Sequence, residues 1–186
     1  MNLSLVAERY AKALFELAVE NDAVNEVYQD SLVISQTCEK SKELRSLLKS
    51  PIINSEKKLT IIREIFKNNV HKLSLTYLLI MIRKRREAYI PEIAAELVGL
   101  YKTYHNILTV HFKSPVSPDP EIRTQVLKIM KNYSKSDIDL KTEIDESLIG
   151  GFVLTWDDKQ YDASIRREIE DMRKVIAKVN LYKKGF

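Results

Sequence analysis

Apolar residues recur at helical spacing through the first hundred positions of the chain. Positions 3–20 carry two stripes: Val6, Tyr10, Ala13 and Leu17, and beside them Ala7, Ala11, Leu14 and Ala18. Asn21 and Asp22 break the pattern, and a second long helix follows with Val24, Val27, Leu32, Ile34 and Cys38 inward. A short helix over Lys42–Lys49 ends at Ser50-Pro51, because a residue before proline avoids helical geometry. Asn54 or Ser55 can cap the next helix, Glu56 to Lys67, with Leu59, Ile62, Ile65 and Phe66 inward. The stretch Lys72–Arg86 (KLSLTYLLIMIRKRR) is apolar nearly all round, interrupted only by Ser74 and Thr76 before its basic tail. Such a helix must be covered on nearly all sides, yet its apolar run is far short of the roughly 18 residues a bilayer requires. Ile90, Ile93, Leu97, Leu100 and Tyr104 mark a sixth helix with Pro91 near its start.

The pattern changes near Asn106. Ile107 to Lys113 alternates and is β-branched, which predicts a strand. After the proline-rich Ser114–Pro120 turn, Asp119-Pro120-Glu121 predicts a helix start, with Asp119 as cap, running to about Tyr133. Alternation resumes over Ile138–Ile144. Gly150-Gly151 leads into a strand at Phe152–Trp156, and Asp157-Asp158 turns into a short strand ending near Tyr161. Asp162 or Ser164 caps a final helix, Ile165 to Val179. The expected fold is therefore mostly α: a six-helix N-terminal bundle, residues 1–106, followed by a small α+β C-terminal domain, residues 107–186.

Composition adds little that contradicts this. An apolar fraction of 45% and a charged fraction of 30% fit a soluble globular protein, and a net charge of +4 permits an acidic partner without demanding nucleic acid. One cysteine, Cys38, leaves no internal disulfide and fits a reducing compartment. The amino terminus alternates charged with apolar residues and resembles neither a secretory signal nor a transit peptide.

Catalytic chemistry is hard to assemble. No glycine-rich phosphate loop is present, and Gly150-Gly151 lacks both the spacing and the following lysine. His71, His105 and His111 share no metal-ligand spacing with one another or with Cys38. The expectation is a non-enzyme without cofactor or metal. Arg83, Lys84, Arg85 and Arg86 form one dense basic cluster, but they close a helix C-terminus, where positive charge is favoured. A weak nucleic-acid binder working through Arg83–Arg86 is thus a lesser alternative. A generic adaptor for amphipathic helices is a stronger one.

The stripe chemistry is more informative. In the first helix one stripe (Ala7, Ala11, Leu14, Ala18) is small and aliphatic, while its neighbour contains Tyr10. In the fifth, one stripe (Leu75, Leu78, Leu79, Ile82) is wholly aliphatic, while Leu73, Tyr77 and Ile80, with Met81 beside them, form the other. If the two tyrosine-bearing stripes lie side by side, they form an apolar groove for an amphipathic helix from another protein.

The chain resembles the delta subunit of bacterial F-type ATP synthase, the relative of the mitochondrial oligomycin-sensitivity-conferring protein. The resemblance rests on Arg9-Tyr10-Ala11-Lys12-Ala13-Leu14-Phe15, Ser50-Pro51 with Lys57, and Arg86 with Ile90-Pro91. It is most specific in Ile138-x-Leu140, Ile144-Asp145, Leu148, Gly150-Gly151-Phe152-x-Leu154 and Asp162-x-Ser164-Ile165-Arg166. It implies a non-catalytic stator subunit of the peripheral stalk, linking the catalytic head to the b subunits and resisting rotor torque during proton-driven ATP synthesis. It further implies that the first and fifth helices bind the N-terminal helix of an alpha subunit. That maps onto Val6, Tyr10, Ala13, Leu17, Leu73, Tyr77, Ile80 and Met81. The C-terminal domain would receive the ends of the b subunits, with no residue assigned. The implied location is the cytoplasmic face of the bacterial inner membrane, peripheral through the complex and without insertion. The basic run Arg83–Arg85 departs from the more neutral residues the family often has before Arg86.

Overall fold

The computed structural model describes residues 3–183, with side chains from 5 to 176. Among these residues the chain is mostly helical, and it divides into two compact units between His105 and Asn106. The first unit contains α1 (Leu3–Glu20), α2 (Val24–Lys40), α3 (Lys42–Lys49), α4 (Ser55–Phe66), α5 (Lys72–Arg83) and α6 (Ile90–Tyr104), with a single 3-10 turn at Glu87–Tyr89. Helix boundaries follow local chemistry. Ser41 Oγ accepts the Leu44 amide at 3.0 Å to start α3, and extended backbone at Ser50, imposed by Pro51, ends it. Of the two candidate caps for α4, Asn54 serves, its side chain accepting the Glu56 amide at 3.3 Å. His71 starts α5 in the same way, with Nδ1 accepting from Leu73 N at 3.3 Å.

The bundle core joins Ala7, Ala11, Leu14 and Ala18 of α1 to Val27 and Ile34 of α2, Ile62 and Phe66 of α4, and Ile93 and Leu97 of α6. The aliphatic stripe of α1 is the inward one, and alanines let α1 lie close against α6. Cys38 is buried among these residues, and burial pushes its thiol up to about 11, as for a small core hydrophobe.

One buried polar pair ties the connections together. Lys58 on α4 is 2% exposed; its Nζ donates to Glu87 Oε1 at 2.6 Å, to Ser50 O at 2.7 Å and to Leu48 O at 3.3 Å. All three ammonium protons thereby have acceptors, which offsets the cost of burying the charge.

The second unit contains β1 (Ile107–Ser114), α7 (Pro120–Tyr133), β2 (Asp137–Ile144), β3 (Gly151–Trp156), β4 (Lys159–Ser164) and α8 (Ile165–Lys183). The sheet order is β2-β1-β3-β4, with β1 and β2 parallel across the α7 crossover and the other pairs antiparallel. Val110, Phe112 and Leu154 pack with Val126 and Met130 of α7. Asp119 occupies the α7 cap position, but its side chain makes no capping hydrogen bond; Pro120 and the acidic Glu121 mark that start instead. The last strand runs three residues beyond Tyr161. Asp162 therefore lies in β4, where its Oδ1 accepts the Ser164 amide at 2.9 Å, and Ser164 Oγ takes the Arg167 amide at 3.3 Å to start α8.

Gly151 pairs with Ser164 at a φ of +79°, and a Cβ there would lie 2.1 Å from the Ala163 carbonyl oxygen. Only glycine fits that position. Gly151 is thus a backbone requirement of the β3–β4 hairpin, while at Gly150 a Cβ would meet the Ile165 side chain. On α8, Ile165, Ile169, Met172, Val175 and Ile176 form a solvent-exposed apolar stripe.

Candidate functional site

The proposed groove depends on where α1 and α5 place their second stripes. On α1 the buried face is Ala7, Ala11, Leu14 and Ala18, which turns Ala13 and Leu17 outward, with Leu17 41% exposed. On α5 the buried face is Ser74, Leu78, Met81 and Ile82, which turns Ile80 outward at 44% exposed. Tyr10, Leu73 and Tyr77 are half-buried between these faces. The two tyrosines adjoin: the Tyr77 hydroxyl donates to the Tyr10 carbonyl oxygen at 2.9 Å. Burial, and secondarily the neighbouring Tyr10, pushes the Tyr77 phenol well above its ordinary range, so it stays protonated and keeps this bond. This hydrogen bond joins α5 to α1 at the two tyrosines; Ala13, Leu17 and Ile80 are exposed on those helices, and Tyr10, Leu73 and Tyr77 are half-buried.

Two residues of the expected set stand elsewhere. Met81 is 0% exposed and belongs to the core, while Val6 is buried at the edge of α1. For Met81 the physical reason is the rotation of α5. Residues advance about 100° each around a helix, and Met81 falls between Leu78 and Tyr77, on the inward side of the tyrosine. Neither residue offers surface to a partner. The inward set also includes Ser74, read from sequence as an interruption of the apolar surface, whereas Leu75 and Leu79 of the aliphatic stripe are only half-buried.

Other candidate residues resolve into structural duties. His71 caps α5, His105 lies against the rings of Tyr101 and Tyr104 at 4.3 and 5.2 Å between centroids, and His111 is exposed on β1. Arg83, Lys84 and Arg85 are exposed where α5 ends. That end is closed by left-handed Arg85, with Arg86 N donating to Met81 O at 2.8 Å and Arg85 N to Ile82 O at 3.0 Å. Asp157 is the left-handed residue of the β3–β4 turn.

Sequence reasoning missed the Lys58–Glu87 pair. A signal was present: Lys58 stands four residues before Ile62 and eight before Phe66, in line with the buried stripe of α4.

Comparison with known proteins agrees with the architecture. The model of the ATP synthase delta (OSCP) subunit family matches residues 6–176. A protein named ATP synthase subunit delta from Chloroherpeton thalassium is 30% identical over 176 residues, covering 95% of this chain and 96% of that protein. One of the same name from Clostridium botulinum is 31% identical over 170 residues, covering 91% and 95%. Among solved structures, a chain of the Toxoplasma gondii mitochondrial ATP synthase hexamer shares the fold with a TM-score of 0.74, at 16% identity and over 92% of this chain and 97% of that one. The six-helix bundle, the small α+β unit and the match across nearly the whole length together place this chain in the ATP synthase delta (OSCP) subunit family.

Proposed function

We propose that this chain is a stator subunit of the ATP synthase peripheral stalk, and that the α1–α5 groove holds the N-terminal helix of an alpha subunit. The observation that carries this reading is the Tyr77–Tyr10 hydrogen bond between the two helices, and the exposure of Ala13, Leu17 and Ile80 on them supports it. A helix laid over that surface extends contacts that the first unit leaves incomplete. Burying a fully exposed leucine or isoleucine contributes roughly 1.5–3 kcal/mol, so the half-exposed Leu17 and Ile80 each contribute part of that.

In the second unit, the exposed α8 stripe is the surface offered to the ends of the b subunits. With the first unit engaging the head and the second the stalk, each contact raises the effective concentration of the other. A part of this kind resists torque and needs no chemistry of its own. No helix among the described residues is long and apolar enough to cross a membrane. Attachment to the cytoplasmic face of the bacterial inner membrane then runs through the complex.

The test is binding of a synthetic N-terminal peptide of the cognate alpha subunit, read by calorimetry at low and high salt. Tight binding nearly insensitive to salt is expected. Ala13→Asp and Ile80→Asp, both at exposed positions that leave the core intact, should each weaken it by roughly 30-fold or more. Normal binding by both variants would place the alpha contact on another face. Steep salt dependence would instead indicate a polyanion-binding surface.

A further inference from the structure

A cavity of about 20 Å³ lies in the first unit, its lining including Leu14, Ile34, Leu78 and Ile93 together with Ser31 and Ser74. Ser74 is 2% exposed, and its Oγ has no protein hydrogen-bond partner. A helical serine commonly donates to the carbonyl four residues earlier. Ser31 does so, donating to Val27 O at 2.7 Å, which leaves the Ser31 oxygen lone pairs available as acceptors. A buried hydroxyl is rarely left unpaired, and a space above roughly 10–15 Å³ with two polar partners suffices for one water.

We infer that this cavity is a binding site for one resident water molecule, accepting from Ser74 Oγ and donating to Ser31 Oγ. The water joins α2 to α5. It stands next to a second polar tie between the same helices, the bond from the His71 amide to buried Asp30 Oδ2 at 2.9 Å. Together these two ties form a polar seam within an otherwise apolar core, and the seam fixes α5 in rotation and register against α2. An all-apolar contact there would tolerate sliding, because dispersion and burial are non-directional. The inference concerns the core behind the groove and stands whether or not the alpha-subunit peptide binds there.

The test uses the full chain. A crystal structure at better than 2 Å should show one ordered water between the two hydroxyls. Ser74→Ala removes the donor and displaces the water, leaving Ser31 without its second partner. Its melting temperature should fall by roughly 4–8 °C, the shift expected when one hydrogen-bonding partner is lost from a domain of this size. Ser31→Ala should behave similarly, and because both changes act on one water, the double variant should lose less than the sum of the two. The opposite sign is diagnostic. If the site is dry, Ser74→Ala deletes an unpaired hydroxyl and the protein becomes more stable. An unchanged or raised melting temperature, additive losses, or density without a water overturns the inference.

Discussion

The buried Lys58–Glu87 pair shows most directly how one residue holds this bundle. Lys58 reaches from α4 to the carbonyls of Leu48 and Ser50 and to a carboxylate just beyond the end of α5. It therefore links segments that the turns alone would leave loosely placed. Lys58→Met keeps the stem volume but leaves Glu87 buried and unpaired, and should cost about 3–5 kcal/mol in chemical denaturation. Adding Glu87→Met should recover a large part of that loss, because the residual penalty comes from the uncompensated charge. A fully additive double variant would show that the two groups do not act as a pair.

Among the elements, the β3–β4 hairpin with the start of α8 has the most restrictive backbone chemistry. Gly151→Ala places a methyl against the Ala163 carbonyl in a left-handed conformation, and should destabilise the second unit by at least about 1–3 kcal/mol. At the same junction, hydrogen bonds from Ser164 hold the Asp162 carboxyl below its usual 3.8, and bonds from Ser147 do the same for Asp145. A carboxylate held low in the folded state favours folding above the ordinary aspartate range, and that contribution disappears as pH falls through the folded value. The second unit should accordingly lose stability as pH falls below the ordinary aspartate range of about 4. Asp162→Asn should flatten that acid limb of a pH-melting series, and an unchanged limb would remove Asp162 from its causes. The α5 element makes a different point. Its two apolar stripes need two coverings; α4 and α2 pack against it, and Leu78, Met81 and Ile82 are residues it buries.

For the whole molecule, the two units have separate cores, one built on alanine-rich helix contacts and one on a sheet backed by α7. Separate cores imply separable unfolding. In calorimetry of the intact chain, Lys58→Met should lower one transition and Gly151→Ala the other. A single transition shifted equally by both substitutions would show that the units unfold as one.

Periodicity determined the element order, most helix boundaries and the change from helical to alternating pattern at Asn106, because burial selects residues at fixed spacings along each element. It also identified the small aliphatic face of α1 as the one suited to close packing, and the motifs of the second unit carried the family. Rotation of α5 was decided only in three dimensions. A helix that is apolar nearly all round offers burial no single preferred face, so which arc turns inward depends on neighbours far away in sequence. That is why Met81 entered the core and Ser74 went with it. The Tyr77–Tyr10 bond and the Lys58–Glu87 pair likewise join residues 67 and 29 positions apart. Local patterns describe what each segment can bury. The folded chain selects which of those surfaces meet and which stay open.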